Sequence, residues 1–200
     1  VSPSVQSNLE HAKSAVQKFN LKYAFDMLYQ ALRQEPGLIE AHNILRQAQL
    51  NRTESKPRIM RMLTGLPKIL WIAKIKGPGL LKKGKHAEAL IAAEHALDAD
   101  PKDLIALFFL AQVAEVSGLL ELAVVTMEFA TRYHKEKPAV LRRLAELYGK
   151  LGNHDKQVDV LRQASEQAPD DRQIQEDFKH ATALQAMQTG WGQADSYRDV

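Results

Sequence analysis

The sequence predicts an all-α fold, a right-handed α-α superhelix of about five helix-turn-helix repeats followed by a C-terminal capping helix. The first observation is a period of 34 residues, since Gly84, Gly118 and Gly152 recur at that spacing. Such a period in helical sequence is typical of stacked helical hairpins. The second is an apolar spacing of i, i+3, i+4, i+7, which marks one helix face and occurs at Leu107, Leu110, Ala111 and Ala114. It recurs 34 residues later at Leu141, Leu144, Ala145 and Tyr148.

The N-terminal part is interpreted as two degenerate repeats, 4–36 and 38–67. In the first, polar residues stand where large apolar ones are expected, as is common in a terminal repeat. The second is shorter than the period, and its second helix is expected to begin near Pro57, because proline suits the first turn of a helix. Pro67 is expected to separate it from the next unit.

The clear repeats follow as 70–101, 104–135 and 138–169, then a capping helix, 171–188, and a tail, 189–200. The first clear repeat contains an apolar helix near 67–76 that runs into Gly77-Pro78-Gly79. Proline lacks the N–H that a helix interior needs, so this tripeptide is expected to end or kink the helix. Residues 1–188 are therefore predicted to form one helical repeat domain.

These residues resemble the tetratricopeptide repeat. That family alternates large and small residues on the first helix, places a glycine at the turn and a proline after the second helix. Ala111, Gly118 and Pro169 match that pattern, whereas Lys135 stands in place of a proline and Gln157 in place of a small residue. The resemblance covers residues 84–169. It implies a non-catalytic scaffold that binds a peptide or protein segment in a concave groove.

The resemblance also implies where a partner would bind, because ligand-contacting residues of the family project from the first helix of each pair. The matching positions, taken as one set, are Trp71, Lys74, Ile105, Phe108, Gln112, Glu115, Arg142, Glu146, Lys150, Glu176 and His180. Some members hold the carboxylate tail of a chaperone with a lysine, asparagine and arginine clamp. Lys74 and Arg143 match two clamp positions, but Pro78 and Phe109 stand where asparagines are needed. A chaperone C-terminal peptide is therefore predicted not to bind.

Positive charge is concentrated in one segment, 52–85, which holds ten Lys/Arg against one acid, Glu54. The basic patch is defined as Arg58, Arg61, Lys68, Lys74, Lys76, Lys82, Lys83 and Lys85. Three interpretations stay open: a solvated face whose long side chains extend outward, docking of an acidic protein or peptide, and attachment of the amphipathic segment 57–76 to an anionic membrane. A peripheral membrane or acidic-partner adaptor is thus the alternative function. Nucleic acid is disfavoured, because Trp71 alone accompanies the charge and base stacking needs more aromatic residues.

Composition bounds the remaining properties. A chain of 200 residues with 45% hydrophobic residues and a net charge of +3 has the composition of a folded protein. There is no cysteine, which excludes disulfides and thiolate metal sites and fits either the cytoplasm or a bacterial envelope. The first residue is Val1, so we interpret the chain as a fragment or processed form from which an upstream signal or anchor could have been removed. Homo-oligomerisation through apolar helix surfaces also stays open.

No catalytic, metal or cofactor site is predicted. The seven histidines lack the spacing of zinc proteases, and we interpret them as surface or turn residues. Gly79, Gly84 and Lys85 have the spacing of a phosphate-binding P-loop, but His86 follows Lys85 where that loop has Ser or Thr, so no P-loop is predicted. The pair Asp98 and Asp100 is interpreted as turn and capping residues.

Overall fold

The computed structural model describes the backbone of residues 1–54 and 57–196; side chains are described there except at 58, 60–64 and 189–196. Over these residues the chain consists of helices joined by short turns, with no β-strand. The predicted all-α class is therefore confirmed.

The chain divides into two compact units, Val1–Thr126 and a second that begins at Met127. The predicted single repeat domain over residues 1–188 stays a prediction. The helices are, in order, α1 (Pro3–Gln17), α2 (Leu21–Gln34), α3 (Ile39–Glu54), α4 (Arg58–Trp71), a π-helical turn (Ile72–Lys76), α5 (Gly77–Lys82), α6 (His86–Leu97), α7 (Leu104–Val116), α8 (Leu120–Tyr133), α9 (Pro138–Lys150), α10 (His154–Gln167) and α11 (Arg172–Ser196).

Consecutive helices pack against each other within each unit. In the first unit, α1 packs on α2, α2 on α3, α5 on α6 and α6 on α7; in the second, α10 packs on both α9 and α11. The predicted turn glycines Gly84, Gly118 and Gly152 have φ of +69°, +76° and +71°. After each of them, an N–H bonds to a carbonyl five residues back, as in Leu119 N to Ala114 O (2.8 Å). This left-handed C-terminal motif ends a helix and satisfies its last carbonyls.

The run from α4 to α5 differs from the expectation in two places. Pro67 lies inside α4, so it does not separate two helices. Gly77-Pro78-Gly79 does not end the helix either, because α5 begins at Gly77. The irregularity lies just before, where the Gly77 N–H bonds to the Ile72 carbonyl in a π-helical turn. Such a turn widens the helix and accommodates a proline whose missing N–H and ring disrupt the regular bond to the fourth residue before it.

The last helix, α11, is longer than expected. Ile174 and Ala181 are buried against the helices before it. The helix was expected to end at 188 but continues to Ser196, so the first part of the predicted tail is helical. The side chains of 189–196 and all of 197–200 lie outside the described residues.

A buried polar cluster ties α3 to α6 in the first unit. Glu94 of α6 is fully buried, and His42, Arg46 and Gln49 of α3 are less than a tenth exposed. The Glu94 carboxylate contacts His42 Nδ1 at 2.7 Å and accepts a hydrogen bond from Arg46 Nη2 at 3.1 Å, while Gln49 Nε2 donates to the Glu94 carbonyl at 3.2 Å. His42, expected at the surface or in a turn, is therefore part of the interior.

His42 also faces a backbone carbonyl. Its Nε2 lies 2.8 Å from the Pro36 carbonyl, so both ring nitrogens face oxygen atoms. Burial alone would raise the pKa of Glu94, but the Arg46 and His42 charges outweigh burial and hold it below its ordinary value.

Asp98, at the end of α6, extends the cluster to α2. Its carboxylate accepts hydrogen bonds from Tyr29 Oη at 2.8 Å and Gln49 Nε2 at 3.0 Å, and lies 3.0 Å from His95 Nδ1. Asp98 is the C-cap residue of α6, as predicted, but its carboxylate also joins α6 to α2 and α3, which was not predicted. Burial opposes ionisation, but the bonds from His95, Gln49 and Tyr29 keep the pKa of Asp98 below its ordinary value.

We predict that Glu94→Leu lowers the free energy of unfolding by about 3–5 kcal/mol, because it leaves the buried Arg46 and His42 without a counter-charge. Urea denaturation measures the loss. The matched control is Glu88→Gln on the same helix, which removes a 57% exposed carboxylate bonded to Lys85 and should change stability by less than about 1 kcal/mol. A Glu94→Leu protein as stable as this control would contradict the prediction.

Stability is also expected to depend on acid pH. A carboxyl group with a lowered folded-state pKa stabilises the fold fully above its ordinary pKa, and that contribution is lost as the pH falls through the folded-state pKa. The stability difference between the wild type and Glu94→Gln should therefore be largest near neutral pH and shrink in acid. Thermal unfolding of both proteins between about pH 7 and about pH 3 measures it. A difference that stays constant over this range would be inconsistent with an ionised Glu94.

Candidate functional site

The accessible surface of α7 forms a single strip. Ile105 and Gln112 are exposed and Phe108 and Glu115 are half-buried, at spacings of three, four and three residues. The opposite side of the helix is buried through Ala106, Leu107, Phe109, Leu110, Ala111, Val113 and Ala114. The four predicted contact residues of α7 are therefore all accessible, as is Val116 at the end of the helix. We call these four predicted residues the α7 strip.

A second accessible surface lies on the adjoining helix. Trp71 is 51% exposed, Ile75 is 65% exposed and Leu70 is 37% exposed, while Lys74 between them is also exposed. The Lys76 Nζ lies 5.6 Å from the centre of the Trp71 ring, a cation–π distance. We call Leu70, Trp71, Lys74 and Ile75 the Trp71 face. It combines large apolar side chains with a cation in their midst.

α7 approaches the helical run from α4 to α5 closely at one point. The ring of Phe109, which is 4% exposed, lies against the backbone at Gly77, where a Cβ would come within 1.9 Å of Phe109 Cζ. α7 packs on both α4 and the π-turn. The glycine is thus required by the approach of α7 to the run of helix that carries the Trp71 face.

The basic patch is accessible wherever its side chains are described. Lys68, Lys74, Lys76, Lys82, Lys83 and Lys85 are all exposed. Lys85 bonds to Glu88 at 2.7 Å, and the other five form no ion pair with another described residue. The side chains of Arg58 and Arg61 lie outside the described residues.

In the second unit, three predicted contact residues surround one small cleft. Arg142, Glu146 and His180 line a cavity of about 140 Å³, together with Asp177 and residues of α9 and α10. Arg142 Nε donates to Asp177 Oδ2 at 2.6 Å, so its charge is already paired. The pairing of Asp177 with α9 was not predicted from the sequence. Lys150 and Glu176, the other predicted residues of this unit, are exposed.

In the described part of the chain, no group of three or more His, Cys, Asp or Glu residues is arranged to hold a metal ion. No helix in it is both long and apolar enough to cross a membrane.

Comparison with known proteins identifies the repeats. Two segments, 76–126 and 141–171, match models described as tetratricopeptide repeat. No curated protein sequence matches the chain.

Solved structures match over longer stretches. The first TPR domain of human RPAP3 has a TM-score of 0.52 and 16% identity, covering 61% of this chain and 95% of that one. The first TPR of Spaghetti (RPAP3), bound to the HSP90 peptide SRMEEVD, has a TM-score of 0.50 and 18% identity, and the match covers 60% of this chain and 94% of that one. A tetratricopeptide repeat protein from Parabacteroides merdae ATCC 43184 has a TM-score of 0.50 and 18% identity, and the match covers 92% of this chain and 61% of that one. At these identities the likeness shows the fold.

We predict that Gly77→Ala destabilises the protein by about 1–3 kcal/mol, because the added methyl group overlaps the Phe109 ring and forces α7 away from the π-turn. Gly79→Ala is the matched control in the same helix, since a Cβ there meets no atom within 4 Å. It should be neutral or stabilising by up to about 1 kcal/mol, because alanine is the better helix former. Thermal or urea unfolding compares the two, and equal effects would contradict the proposed contact.

Proposed function

We propose, from the premise that the chain belongs to the tetratricopeptide repeat family, that it is a scaffold that binds a segment of another protein. Its main docking surface would be the α7 strip together with the Trp71 face. Tetratricopeptide repeats form a protein-interaction fold, and the Spaghetti (RPAP3) neighbour was solved with a peptide bound. A concave groove lined by the first helix of each pair, within one domain over residues 1–188, is part of the proposal.

The observation that supports the proposal most directly is that large apolar side chains on α7 and α4 are exposed to solvent. Ile105 is 39% exposed and Trp71 is 51% exposed, whereas Leu107 and Ile69 on the same two helices are buried. Burying one such side chain fully contributes about 1.5–3 kcal/mol, and a few buried anchors usually dominate binding. Gln112 and Glu115, farther along the strip, would supply the polar contacts that orient the segment.

The second unit contributes a polar surface to the same proposal. Arg142, Glu146 and His180 surround its cleft, and Lys150 and Glu176 are exposed beside them on the same two helices. Because Asp177 already pairs with Arg142, a partner there would gain less from the arginine than an unpaired charge would give. We therefore assign the apolar anchors to the first unit.

We predict that Ile105→Ser weakens binding of captured peptides by at least about tenfold, which corresponds to 1.4 kcal/mol. Peptides are first selected from a random display library on the wild-type chain, and their affinities are then measured by fluorescence anisotropy. Tyr23→Ser is the matched control, since Tyr23 is a helical residue of the first unit with 41% exposure. It should leave affinity unchanged.

Two results would argue against this assignment. One is an equal loss of affinity in the Ile105→Ser and Tyr23→Ser proteins, which would place the docking surface elsewhere. The other is that the affinity of the selected peptides is unchanged by Ile105→Ser. The peptide SRMEEVD serves as a negative probe, because Pro78 and the buried Phe109 occupy the clamp positions that would hold its terminal carboxylate.

A further inference from the structure

We infer that the Trp71 face accepts an acidic, amphipathic protein segment whose bulky apolar side chains pack on Trp71 and Ile75 while its carboxylates bind the surrounding lysines. The inference rests on the proposed function and specifies the partner's chemistry. It is drawn from three features of the first unit: the exposed apolar side chains, the lysines among them that lack an acidic neighbour, and the polar end of the α7 strip.

The apolar part offers anchor sites along one helix. Ile75 and Trp71 are more than half exposed, and Leu70 is 37% exposed. Ile105 adds an exposed apolar side chain on α7, which packs on α4 and the π-turn. A partner that covers these residues would remove their apolar surface from water, which favours association. Lone exposed apolar residues are common, but Leu70, Trp71 and Ile75 are grouped within six residues of one run.

The charge of the surface is uncompensated. Lys68, Lys74 and Lys76 form no ion pair with a described residue, and the one acid between residues 52 and 85 is Glu54 of α3. The acids of the neighbouring helices are already engaged. Glu88 bonds to Lys85, and the Asp103 side chain caps α7 by accepting from the Ala106 N–H at 2.9 Å. A partner with carboxylates would therefore supply the missing opposite charge and would be steered to this face.

The arrangement favours a protein segment over an anionic bilayer. An interfacial helix keeps its lysines on the polar side of an apolar face, whereas Lys74 here comes one turn after Leu70, which is itself exposed and apolar. Immersing that face in lipid would desolvate the ammonium without a partner, but a glutamate or aspartate of a docked segment could pair with it. The α7 strip ends in Gln112 and Glu115, whose side-chain oxygens can accept hydrogen bonds from the backbone N–H groups of a docked segment.

The test uses the whole chain and the same display selection. Two variants with equal loss of charge are compared: Lys68→Gln/Lys74→Gln/Lys76→Gln, and a control, Lys18→Gln/Lys22→Gln/Arg33→Gln, which removes three exposed cations from α2 and the preceding turn. Peptides enriched on the wild type should carry net negative charge and at least two residues among Phe, Trp, Tyr, Leu and Ile, a combination that SRMEEVD lacks. Their affinity should fall at least about tenfold in the first variant, fall as salt is raised, and change little in the control.

The contrary outcomes separate the inference from the proposed function. If peptides bind and depend on Ile105 but carry no acidic excess, or if both triple variants lose affinity equally, the inference is wrong while the scaffold proposal stands. If no peptide is enriched at all, the proposed function fails as well. If vesicles of phosphatidylserine and phosphatidylcholine bind the wild type, lose binding in the first variant and displace the peptides, the face is a lipid-binding surface and the inference is overturned.

Discussion

The first unit depends on a fully buried carboxylate. The Glu94 side chain is fully desolvated, and its ionised form is stabilised by Arg46 and His42, which face it from α3. Hydrogen bonds to a buried ion are directional, so they fix how α3 lies along α6 more tightly than apolar contacts alone. α6 in turn packs on α4, the π-turn, α5 and α7. The proposed docking surface is therefore positioned by an ion cluster on the other side of the helix that supports it.

The regular part of the fold could be predicted because its signals are local. A glycine that ends a helix needs a positive φ, and this requirement is independent of distant residues; Gly84, Gly118 and Gly152 all satisfy it. The helical apolar spacing of α7 likewise identified its buried side. Ile105 and Phe108 were expected from the resemblance to the tetratricopeptide repeat, and both are accessible on α7; their role in binding stays a prediction.

The ion cluster could not be predicted in the same way, because its members are 45 to 52 residues apart. One signal was present. His42, Arg46, Gln49 and Thr53 are spaced as one helix face, and all four are buried. A helical stripe of polar residues is ordinarily a solvated face, and only the presence of Glu94 opposite makes it an interior one. The pairing of Arg142 with Asp177 was hidden for the same reason, since it joins helices that are distant in sequence.

A change of one residue in the π-turn would alter the proposed docking surface. A π-turn holds one residue more than an α-turn, so gaining or losing one residue there shifts the phase of the following helix by roughly 100° while keeping it helical. Side chains that follow the π-turn would then point in a different direction relative to the side chains that precede it. Specificity in this run could therefore change through a single inserted or deleted codon, with every side chain of Trp71, Lys74 and Ile75 kept.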